Sequence, residues 1–506
     1  MTTLLTASLQ SLSELPDQLA TTEGFPEVLQ ALSEGRSATI DGTWGPSATL
    51  TTAALASHAP SKILVVLAHP SDLDRWQGDL TTFDGERPEI FPAWDTIPTE
   101  LVELDSTGSQ RLRLLRQLES ESPPRIILST LQALLQPVPG IDQLESRRRV
   151  LQVGEEIDME DLAVWLVEQG FRSVDRVELP GEFSRRGGIL DLFSPDVENP
   201  WRLEFFGDEI ESIREFDAGT QRSLEDLSRV TATGSLSNEE SGYLSMTGHL
   251  CDYLARDAWT VLVELEELHD QGKQYLERVS DWRGLITIDS AMKKLTSVPS
   301  IRLSSFPVPS TEVTCHLNVE SVERFSGNVA LVRDELDSIA VVDRAVIACH
   351  NEAEVARLTE VLSSGKLAQS ERLQLVTGQV HAGFRLVDFG LVVLGGQELF
   401  HREGARQVLP RRQIESRAID SFLDLKEGDY VVHVSHGIAL YRGMQVLDKN
   451  GREEEHLLLE FRAGARVYVP ASKIDLVQKY VGGSKVNPEL SKVGGTGWTR
   501  KKEKVE

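Results

Sequence analysis

Short apolar runs alternate with amphipathic segments over roughly the first 140 residues. The runs at Ser61–His69 and Pro123–Thr130 are rich in β-branched residues and are bounded by polar ones, which predicts buried strands. The segments that follow them, DLDRWQGDLTTF and LQALLQ, have apolar residues at helical spacing. Strands that alternate with helices predict a parallel, doubly wound sheet.

The period of the pattern then changes to two. A helix with an acidic start and a Gly stop is predicted over Asp161–Gly170. Strands are predicted at Gly188–Phe193, Trp201–Phe206 and Glu209–Phe216, and the Gly207-Asp208 pair predicts a tight hairpin turn between the last two. Together these segments predict a small antiparallel sheet domain.

Two further modules follow. Runs at Ala345–His350 and Leu391–Gly396, with a helical segment between them, predict a second small α/β domain. The charged stretch Arg402–Arg417 is typical of a linker. After it, DYVVHV, HLLLEF and RVYVPA follow closely with glycines between or beside them, which predicts a small β-barrel of SH3 or Tudor type.

Composition limits the function classes. The 506 residues suggest roughly three to five domains. A formal net charge of −27 disfavours a general nucleic-acid coat, because phosphate binding needs clustered Lys and Arg. Cys251, Cys315 and Cys349 are scattered, so neither a disulfide framework nor a zinc site is expected, and a reducing cytoplasm is. We expect no secretory signal and no membrane association.

The stretch DGTWGPSATLTTAALA stands where a βαβ domain carries its first phosphate loop. The four positions that match G-x-x-x-x-G-K-[ST] hold, in order, Gly42, Ser47, Ala48 and Thr49. Ala48 replaces the lysine that neutralises phosphate charge, and Pro46 removes a backbone donor. The stretch is either a degenerate P-loop or an unrelated Gly-rich turn. Both interpretations predict that this chain binds no cofactor and hydrolyses no ATP.

Two groups of polar residues resemble metal ligands only superficially. The carboxylates of Asp334–Asp337 follow an arginine and are predicted to lie on a helix surface. His433 and His436 fall in a strand and the turn after it, so they point in different directions, and no Cys or carboxylate accompanies them closely. We therefore predict no metal site.

The motifs resemble one bacterial protein family in their order. GFRSVDRVELPGEFSRRGGILDLFSP and WRLEFFGDEIESIREFDAGTQRS are similar to the domain shared by the UvrB damage-recognition protein and the transcription-repair coupling factors. DLKEGDYVVHVSHGIALYRGM, HLLLEF and RVYVPASKIDLVQKYVGG resemble the CarD-like, RNA-polymerase-interacting domain of the coupling factors, which UvrB lacks. The resemblance is strong at 170–223 and 421–482 and moderate at 38–140.

The resemblance implies a multidomain α/β fold: a degenerate P-loop-type parallel sheet, an inserted α+β UvrA-binding domain, a second small α/β domain and a C-terminal small β-barrel. The expected boundaries are a UvrB-like degenerate nucleotide-binding domain at 1–147, a UvrA-binding domain at 148–236, the remainder of the UvrB-like domain at 237–312, the small α/β domain at 313–410, a linker at 411–420, the polymerase-interacting domain at 421–485 and a connector towards a helicase motor at 486–506.

The resemblance also implies a function. The family displaces RNA polymerase stalled at a lesion and recruits UvrA for nucleotide excision repair. Its ATP- and magnesium-dependent motor, which engages DNA, follows the polymerase-binding domain, so we expect this chain to be a motorless fragment or truncated product. The expected partners are UvrA and the polymerase β subunit, with DNA contacted only through the motor. The alternative is a UvrB-like damage-verification ATPase or helicase component.

Matching positions carry over four UvrA-binding residues: Arg172, Arg186, Arg202 and Glu204. Along the predicted strand, Leu203 shares one face with Phe205, whereas Arg202 and Glu204 point to the other. Arginine suits such a surface because its planar guanidinium makes bidentate bonds to carboxylates. Without the resemblance, the same residues would be solvated charges on an ordinary sheet face.

One position departs from the family. UvrB has a further arginine where this chain has Ser184, and Arg185 lies beside it. Because a shift of one residue along a strand reverses the face, the sequence leaves open whether Arg185 takes over that role. Gly187 and Gly188 are expected to serve backbone geometry, either a bulge or a close approach.

In the polymerase-interacting domain, the resemblance implies that an edge strand pairs with the β subunit. The candidate segment is Gly443–Leu447. Leu447 aligns with an apolar family residue at the polymerase surface, whereas the sequence alone favours an interior plug of a small barrel. Arg442 and Met444 are secondary candidates.

Overall fold

The computed structural model gives the fold of most of the chain, which divides into two compact units, Met1–Glu403 and Gly404–Glu506. The described residues are 11–94, 106–234, 246–279, 283–308, 310–322, 331–400, 416–418, 428–433, 437–449, 452–462, 466–470 and 477–480.

The first part of the chain alternates strands and helices, as predicted. Its elements are α1 (Leu15–Leu19), α2 (Phe25–Ser33), β1 (Ala38–Asp41), α3 (Pro46–Ala56), β2 (Ile63–Leu67), α4 (Leu73–Asp84), β3 (Glu89–Phe91), α5 (Ser106–Leu118), β4 (Ile126–Thr130), α6 (Leu131–Leu134) and α7 (Ile141–Glu145). The two predicted apolar strands are β2 and β4, and every residue of both is buried.

The next part contains an antiparallel module and then returns to strands and helices. Its elements are β5 (Arg148–Gln152), α8 (Met159–Glu168), β6 (Arg172–Ser173), β7 (Glu182–Arg186), β8 (Ile189–Leu192), β9 (Trp201–Phe206), β10 (Glu209–Phe216), β11 (Ser223–Leu227), β12 (Arg229–Thr233), β13 (Trp259–Val263), α9 (Leu265–Arg278), α10 (Ile288–Leu295), β14 (Ser300–Ser304) and β15 (Val313–His316). The predicted hairpin at Gly207-Asp208 is confirmed between β9 and β10.

A parallel seven-stranded sheet forms the first layer, in the order β15-β1-β14-β13-β2-β4-β3. Strands β13 to β15 therefore join a sheet that begins more than two hundred residues earlier in the chain. The whole antiparallel module lies between β4 and β13 in the sequence, so it is an insertion into this sheet. Helices pack on both faces, and for this reason the central strands are continuously apolar.

The inserted module is a six-stranded sheet in the order β11-β10-β9-β8-β7-β6, beside a two-stranded ribbon of β5 and β12. All neighbours in the sheet are antiparallel except the short pair β6 and β7. Leu162 and Leu166 of α8 pack with Leu190, Leu203 and Phe205 into a separate core. The predicted inward direction of Leu203 and Phe205 is thereby confirmed.

A smaller α/β layer completes the first unit. Its elements are β16 (Val319–Ser321), α11 (Val332–Ile339), β17 (Arg344–Cys349), α12 (Glu352–Leu362), α13 (Lys366–Gln369), β18 (Leu373–Thr377), β19 (Phe384–Leu386) and β20 (Leu391–Gly395). The strand order is β16-β19-β20-β17-β18, with β20, β17 and β18 parallel. Asp334–Asp337 lie within α11, so their predicted helical placement is confirmed.

This layer does not have a core entirely of its own. Side chains from β17, β19 and β20 belong to the same hydrophobic cluster as α1, α3 and α4. The rings of Phe83 on α4 and Phe384 on β19 meet edge to face, with centroids 6.4 Å apart. Beside them, Gln379 donates its backbone N–H to the Thr82 hydroxyl at 2.8 Å.

The second unit is an antiparallel sheet. Its strands are β21 (Ser416–Ala418), β22 (Tyr430–His433), β23 (Gly437–Lys449), β24 (Arg452–Glu460), β25 (Arg466–Pro470) and β26 (Val477–Tyr480). Their order is β21-β26-β22-β23-β24-β25, and among the described residues the two ends of the sheet do not pair with each other. Val431, Tyr441, Leu457, Leu459 and Phe461 are among the residues of its core.

Candidate protein-docking surfaces

The six-stranded sheet has one face that α8 does not cover. We call it the outer face, and cross-strand register assigns to it Arg172, Glu182, Ser184, Arg186, Ile189, Asp191, Arg202, Glu204, Phe206, Ser212 and Arg214. All four residues carried over from the family, which are Arg172, Arg186, Arg202 and Glu204, thus share one face. Strands β6, β7 and β9 contribute them from a stretch of only a few dozen residues.

Arg172 and Glu182 form a pair at the β6 end of the outer face. Their side chains are joined by a 2.7 Å hydrogen bond from Arg172 Nη2 to Glu182 Oε1. The arginine side chain is 51% exposed, while the carboxylate is 7% exposed. The other carboxylate oxygen accepts the backbone N–H groups of Glu178 and Leu179. Glu182 therefore holds the loop before β7, and Arg172 keeps a large part of its side chain accessible.

Arg202 is held more tightly than Arg172 and Arg186. Its Nε and Nη2 donate to the two oxygens of Asp191 at 2.6 and 2.8 Å, a bidentate pair across β8 and β9. The guanidinium also lies over the ring of Phe216, 4.6 Å from its centroid. The hydrogen bond to Asp191 raises the pKa of Arg202 above its ordinary value, so the charge is permanent. The geometry is that of a structural tie between strands.

Glu204 is also engaged within the sheet. It accepts a hydrogen bond from the Ser212 hydroxyl at 2.9 Å and forms an ion pair with Arg214 on β10. Arg214 in turn approaches Asp226 on β11. The middle of the outer face is therefore a network of alternating charges that neutralise one another across four strands.

Arg185 and Arg186, which are adjacent in sequence, lie on opposite faces. Arg185 pairs in register with Leu190, which is buried under α8, and its guanidinium forms an ion pair with Glu160 at the start of that helix. Arg186 is exposed on the outer face and donates to the backbone carbonyl of Asp175. Arg185 therefore lies on the face opposite to Ser184, the position where UvrB has its further arginine.

The Arg186–Ile189 hairpin explains the two glycines. Gly187 has φ of +59°, a left-handed value that residues with a side chain rarely adopt, whereas Gly188 does not have a positive φ. A two-residue turn with glycine at its first position is the type II′ pattern that suits the twist of antiparallel strands. An added Cβ at Gly188 would lie 3.0 Å from the carbonyl oxygen of Phe205, so close approach also favours glycine there.

Two apolar residues of the outer face did not emerge from the sequence. Phe206 is 79% exposed and Ile189 is 37% exposed. Strand alternation was the signal that could have found Phe206, because it follows Arg202 and Glu204 at the same two-residue spacing.

The stretch that resembles a P-loop is a strand-loop-helix turn with glycine conformations at Gly42 and Gly45, whose φ values are +78° and +50°. The space at Gly42 is filled, since an added Cβ would lie 2.0 Å from the carbonyl oxygen of Leu317. Ser47, Ala48 and Thr49 lie in the first turn of α3 and are all buried.

The hydroxyl groups of this turn are committed to the backbone. Ser47 Oγ accepts the backbone N–H of Trp44 at 2.8 Å, and Thr49 Oγ1 donates to the carbonyl of Pro46 at 2.7 Å. Asp41, before the loop, contacts the ring of His316. Ala48 supplies no cation at the lysine position, and the Thr49 hydroxyl is already bonded to the Pro46 carbonyl. These residues do not fit a nucleoside triphosphate with its magnesium ion.

The long strand β23 is paired on both sides only in its first part. Its residues 437–440 pair with β22, whereas residues 440–449 pair with β24. Among the residues that the structure describes, no strand pairs with the second edge of the segment from Gly443 to Leu447. A register shift between Tyr441 and Met444, with φ of +98° at Gly443, marks where this exposed edge begins.

The three candidates on β23 differ in their surroundings. Arg442 is exposed and donates to Glu460 at 2.9 Å. Met444 is half-buried and packs against the core of the sheet. Leu447 pairs with Glu454 in register, and the described part of the structure does not extend to its side chain.

Other candidate chemistry can be placed only in part. His433 ends β22, while His436 lies outside the described residues. Within the described part of the chain, no group of His, Cys, Asp and Glu could hold a metal ion, and no helix is long and apolar enough to cross a membrane. Burial raises the pKa of each cysteine thiol, at Cys251, Cys315 and Cys349, to about 12.

Two segments of the chain match known protein domains. Residues 150–235 match the UvrB interaction domain, and residues 425–481 match the CarD-like/TRCF RID domain. The first match contains the whole six-stranded sheet with α8, and the second contains β22 to β26.

Similarity to curated relatives extends over nearly the whole chain. A transcription-repair-coupling factor of Bacillus subtilis (strain 168) is 25% identical over 571 aligned residues, which cover 96% of this chain and 48% of the relative. The coupling factors of Staphylococcus aureus strains bovine RF122 / ET3-1 and MRSA252 are each 25% identical, covering 93% of this chain and 48% of the relative.

A solved XPD helicase structure covers 72% of this chain at 12% identity, with a TM-score of 0.22, which is too low to indicate a common fold. The chain spans about half the length of the curated relatives that it matches. Both matched domains occur in the order expected, and similarity to the transcription-repair-coupling factors runs along nearly all of this chain.

Proposed function

We propose that this chain links RNA polymerase stalled on damaged DNA to nucleotide excision repair by docking one protein partner on each of its two matched modules. The observation that carries the proposal is the presence of a UvrB interaction domain and a CarD-like/TRCF RID domain in one chain. UvrB itself lacks the second module, so the domain pair favours the coupling function over a damage-verification ATPase.

The first docking event is the binding of UvrA to the outer face. Arg172 and Arg186 are the two family-matched cations with the most accessible side chains, and both lie near turns. Arginine is frequent at interface hot spots because it combines a flat apolar surface with directed hydrogen bonds. Arg202 and Glu204 take part through the shape and charge of the face.

The second docking event is strand addition by the β subunit of RNA polymerase to the exposed edge at Gly443–Leu447. Main-chain hydrogen bonds supply affinity in this mode, and alternate side chains supply selectivity. Leu447 would anchor the added strand, with Arg442 at its rim and Met444 supporting it from the core. In this proposal, the module is a small barrel of the Tudor type, and its strands are β21 to β26.

The chain acts without a cofactor of its own in this proposal. Ala48 leaves the phosphate position without a cation, and Leu317 occupies the space beside Gly42. ATP, magnesium and DNA would be engaged by a motor elsewhere in the family, and the net charge of −27 is consistent with protein rather than DNA partners here. The setting is the cytoplasm, where both partners work.

The test is a binding assay with purified UvrA and RNA polymerase, each immobilised separately and then presented together. We expect the chain to bind each partner and to bridge the two. Arg186→Ala is expected to weaken only the UvrA interaction, and Leu447→Ala only the polymerase interaction. Failure of the wild-type chain to bind either partner would contradict the proposal.

A further inference from the structure

Glu182 is an enclosed carboxylate at the start of β7, with a side chain that is only 7% exposed. A buried charge is costly unless its oxygens are paired. Both oxygens are paired here, and each printed partner is a donor. Oε1 accepts from Arg172 Nη2 at 2.7 Å, and Oε2 accepts the backbone N–H groups of Glu178 and Leu179 at 2.9 Å each. One carboxylate thus joins an exposed arginine to the connection between β6 and β7.

That connection, residues 174–181, is called here the β6–β7 loop, and it is fastened to the sheet at several points. The Glu182 N–H donates to the carbonyl of Leu179 at 3.3 Å, which closes a turn around the carboxylate. Val177, in the middle of the loop, is fully buried, and the Gln221 side chain donates to its carbonyl at 3.4 Å. The loop therefore follows a fixed path, and the Glu182 carboxylate holds its second half.

The first half of the loop presents a main-chain oxygen to Arg186. Arg186 Nε donates to the carbonyl of Asp175 at 3.0 Å, and Nη2 contacts the same oxygen. The Ser184 hydroxyl donates to this oxygen as well, at 3.0 Å. Two neighbouring side chains of β7 thus converge on one carbonyl. The direction of the exposed Arg186 guanidinium therefore depends on where the loop places that carbonyl.

The route from Glu182 to Arg186 runs through the β6–β7 loop. The two residues share the outer face but lie four positions apart on β7, which separates their Cα atoms by about 13 Å. Both oxygens of Glu182 are bonded to other donors. A change at Glu182 would therefore reach Arg186 by moving the loop.

We propose that Glu182 is the positioning residue of the docking face, which orients Arg172 directly and Arg186 through the β6–β7 loop. This inference rests on the proposed function, in which those two arginines receive UvrA. Ordering a long side chain at an interface otherwise weakens binding by about two- to tenfold, and a preorganised face avoids that loss. The groups of UvrA that suit two ordered guanidinium groups are carboxylates.

The experiment is a double-mutant cycle in which calorimetry measures the UvrA affinity of the 506-residue chain. Glu182→Gln keeps the size of the side chain, but either orientation of its amide turns an NH2 group towards a donor. We expect this variant to bind UvrA about tenfold more weakly, because two arginines are released. In an Arg186→Ala background, the same substitution should cost only about threefold, because one arginine remains to be released.

Glu215→Gln is the matched control. Glu215 pairs in register with Trp201, which packs in the core beneath α8, so it lies on the side of the sheet opposite to the outer face. It accepts a hydrogen bond from Asn199 at 3.1 Å, which an amide oxygen can also accept. The same carboxylate-to-amide change should therefore leave the UvrA affinity unchanged.

Hydrogen exchange in the free chain separates positioning from stability. Glu182→Gln should speed exchange at the amides of Glu178 and Leu179, while the amides of β8 and β9 keep their protection. Loss of protection throughout β8 and β9 would mean that this variant does not fold. Glu182→Asp, which keeps the charge on a side chain one methylene shorter, then replaces it in the cycle and should show the same dependence on Arg186.

Two results would overturn the positioning role while leaving the docking function intact. One is wild-type UvrA affinity of a folded Glu182 variant. The other is an equal loss of affinity with and without the Arg186 side chain, which would mean that Glu182 does not act through it. Absence of UvrA binding by the wild-type chain would instead overturn the docking function itself.

Discussion

Asp191 and Arg202 lie opposite each other on neighbouring strands and share two hydrogen bonds, at 2.6 and 2.8 Å. Their side chains are 9% and 24% exposed, so water reaches only the outer side of the pair. The guanidinium also covers Phe216, which is fully buried. Arg202 thus seals an apolar ring and neutralises a carboxylate at once.

Replacing Arg202 is therefore expected to loosen the sheet. Arg202→Ala would leave Asp191 nearly buried without its charged partner, which lowers the local free energy of unfolding by about 1–3 kcal/mol. Hydrogen exchange of the amides in β8 and β9 measures this quantity. Arg186→Ala, on the same face but exposed, is the control and should change it by less than about 0.5 kcal/mol. Equal protection in the two variants would show that the pair contributes nothing to stability.

The hairpin at Gly187 depends on the left-handed backbone. Gly187→Ala is expected to cost about 1–2 kcal/mol, because an L side chain is strained at φ of +59°. Gly219→Ala is the matched control, since Gly219 has no positive φ and its added Cβ would lie 3.6 Å from one Asp217 oxygen. Melting of both variants by circular dichroism checks the difference. An unchanged melting temperature for Gly187→Ala would mean that the turn adopts another conformation.

Cysteine reactivity offers a test of burial. Burial raises the pKa of Cys251, Cys315 and Cys349 to about 12, so at pH near 8 almost no thiolate is present in the folded chain. We expect iodoacetamide to leave the buried Cys315 and Cys349 unmodified under native conditions, to react only slowly with the partly buried Cys251, and to modify all three in urea. Peptide mass spectrometry distinguishes the sites. Rapid native modification at any one of them would contradict the packing around it.

Asp79 predicts a pH dependence. Its side chain is fully buried on α4, and it accepts the backbone N–H of His381 at 3.0 Å while the ring of His381 contacts its other oxygen. Burial raises the pKa of Asp79 above its ordinary 3.8, and the nearby His381 and Arg75 only partly offset this. The resulting stability is fully present below about pH 3.8 and is lost as pH rises through the raised pKa.

The variant Asp79→Asn removes that titration. We expect the unfolding free energy of the wild type relative to Asp79→Asn to fall as the pH rises above about 3.8 and through the raised pKa, by about 1.4 kcal/mol for each unit by which burial raises the pKa. Urea denaturation of both proteins at each pH gives the difference. Glu398, whose pKa burial also raises, titrates in both proteins and cancels in the comparison. A difference that stays constant with pH would contradict the assignment.

The sequence could be interpreted locally but not at long range. The alternation of β9 correctly placed Leu203 inside and Arg202 outside, because a strand fixes which side chains share a face. It could not show that Asp191 would neutralise Arg202, since that contact depends on strand register. Which of Arg185 and Arg186 lies on the outer face likewise became clear only from the pairing with β8.

Membership of the first sheet was also beyond the sequence pattern. Strands β13 to β15 lie after a stretch whose periodicity is hard to interpret. They belong to a parallel sheet whose other strands lie much earlier in the sequence. Parallel strands have no turn between them to set their pairing, so the tertiary core decides it. The exposure of Phe206 likewise could not be predicted, because it depends on what the fold leaves uncovered.

The common core of the first sheet and the five-stranded layer has an evolutionary consequence. The six-stranded module has its own hydrophobic cluster, so genes could exchange it as a cassette, in keeping with its resemblance to a domain of UvrB. The five-stranded layer cannot be exchanged in that way, because Phe83 and Phe384 pack against each other where this layer meets the first sheet. Each ring would be exposed to water without the other. We expect the two layers to have been inherited together, and a reading frame that stops near residue 318 to yield a product that cells degrade.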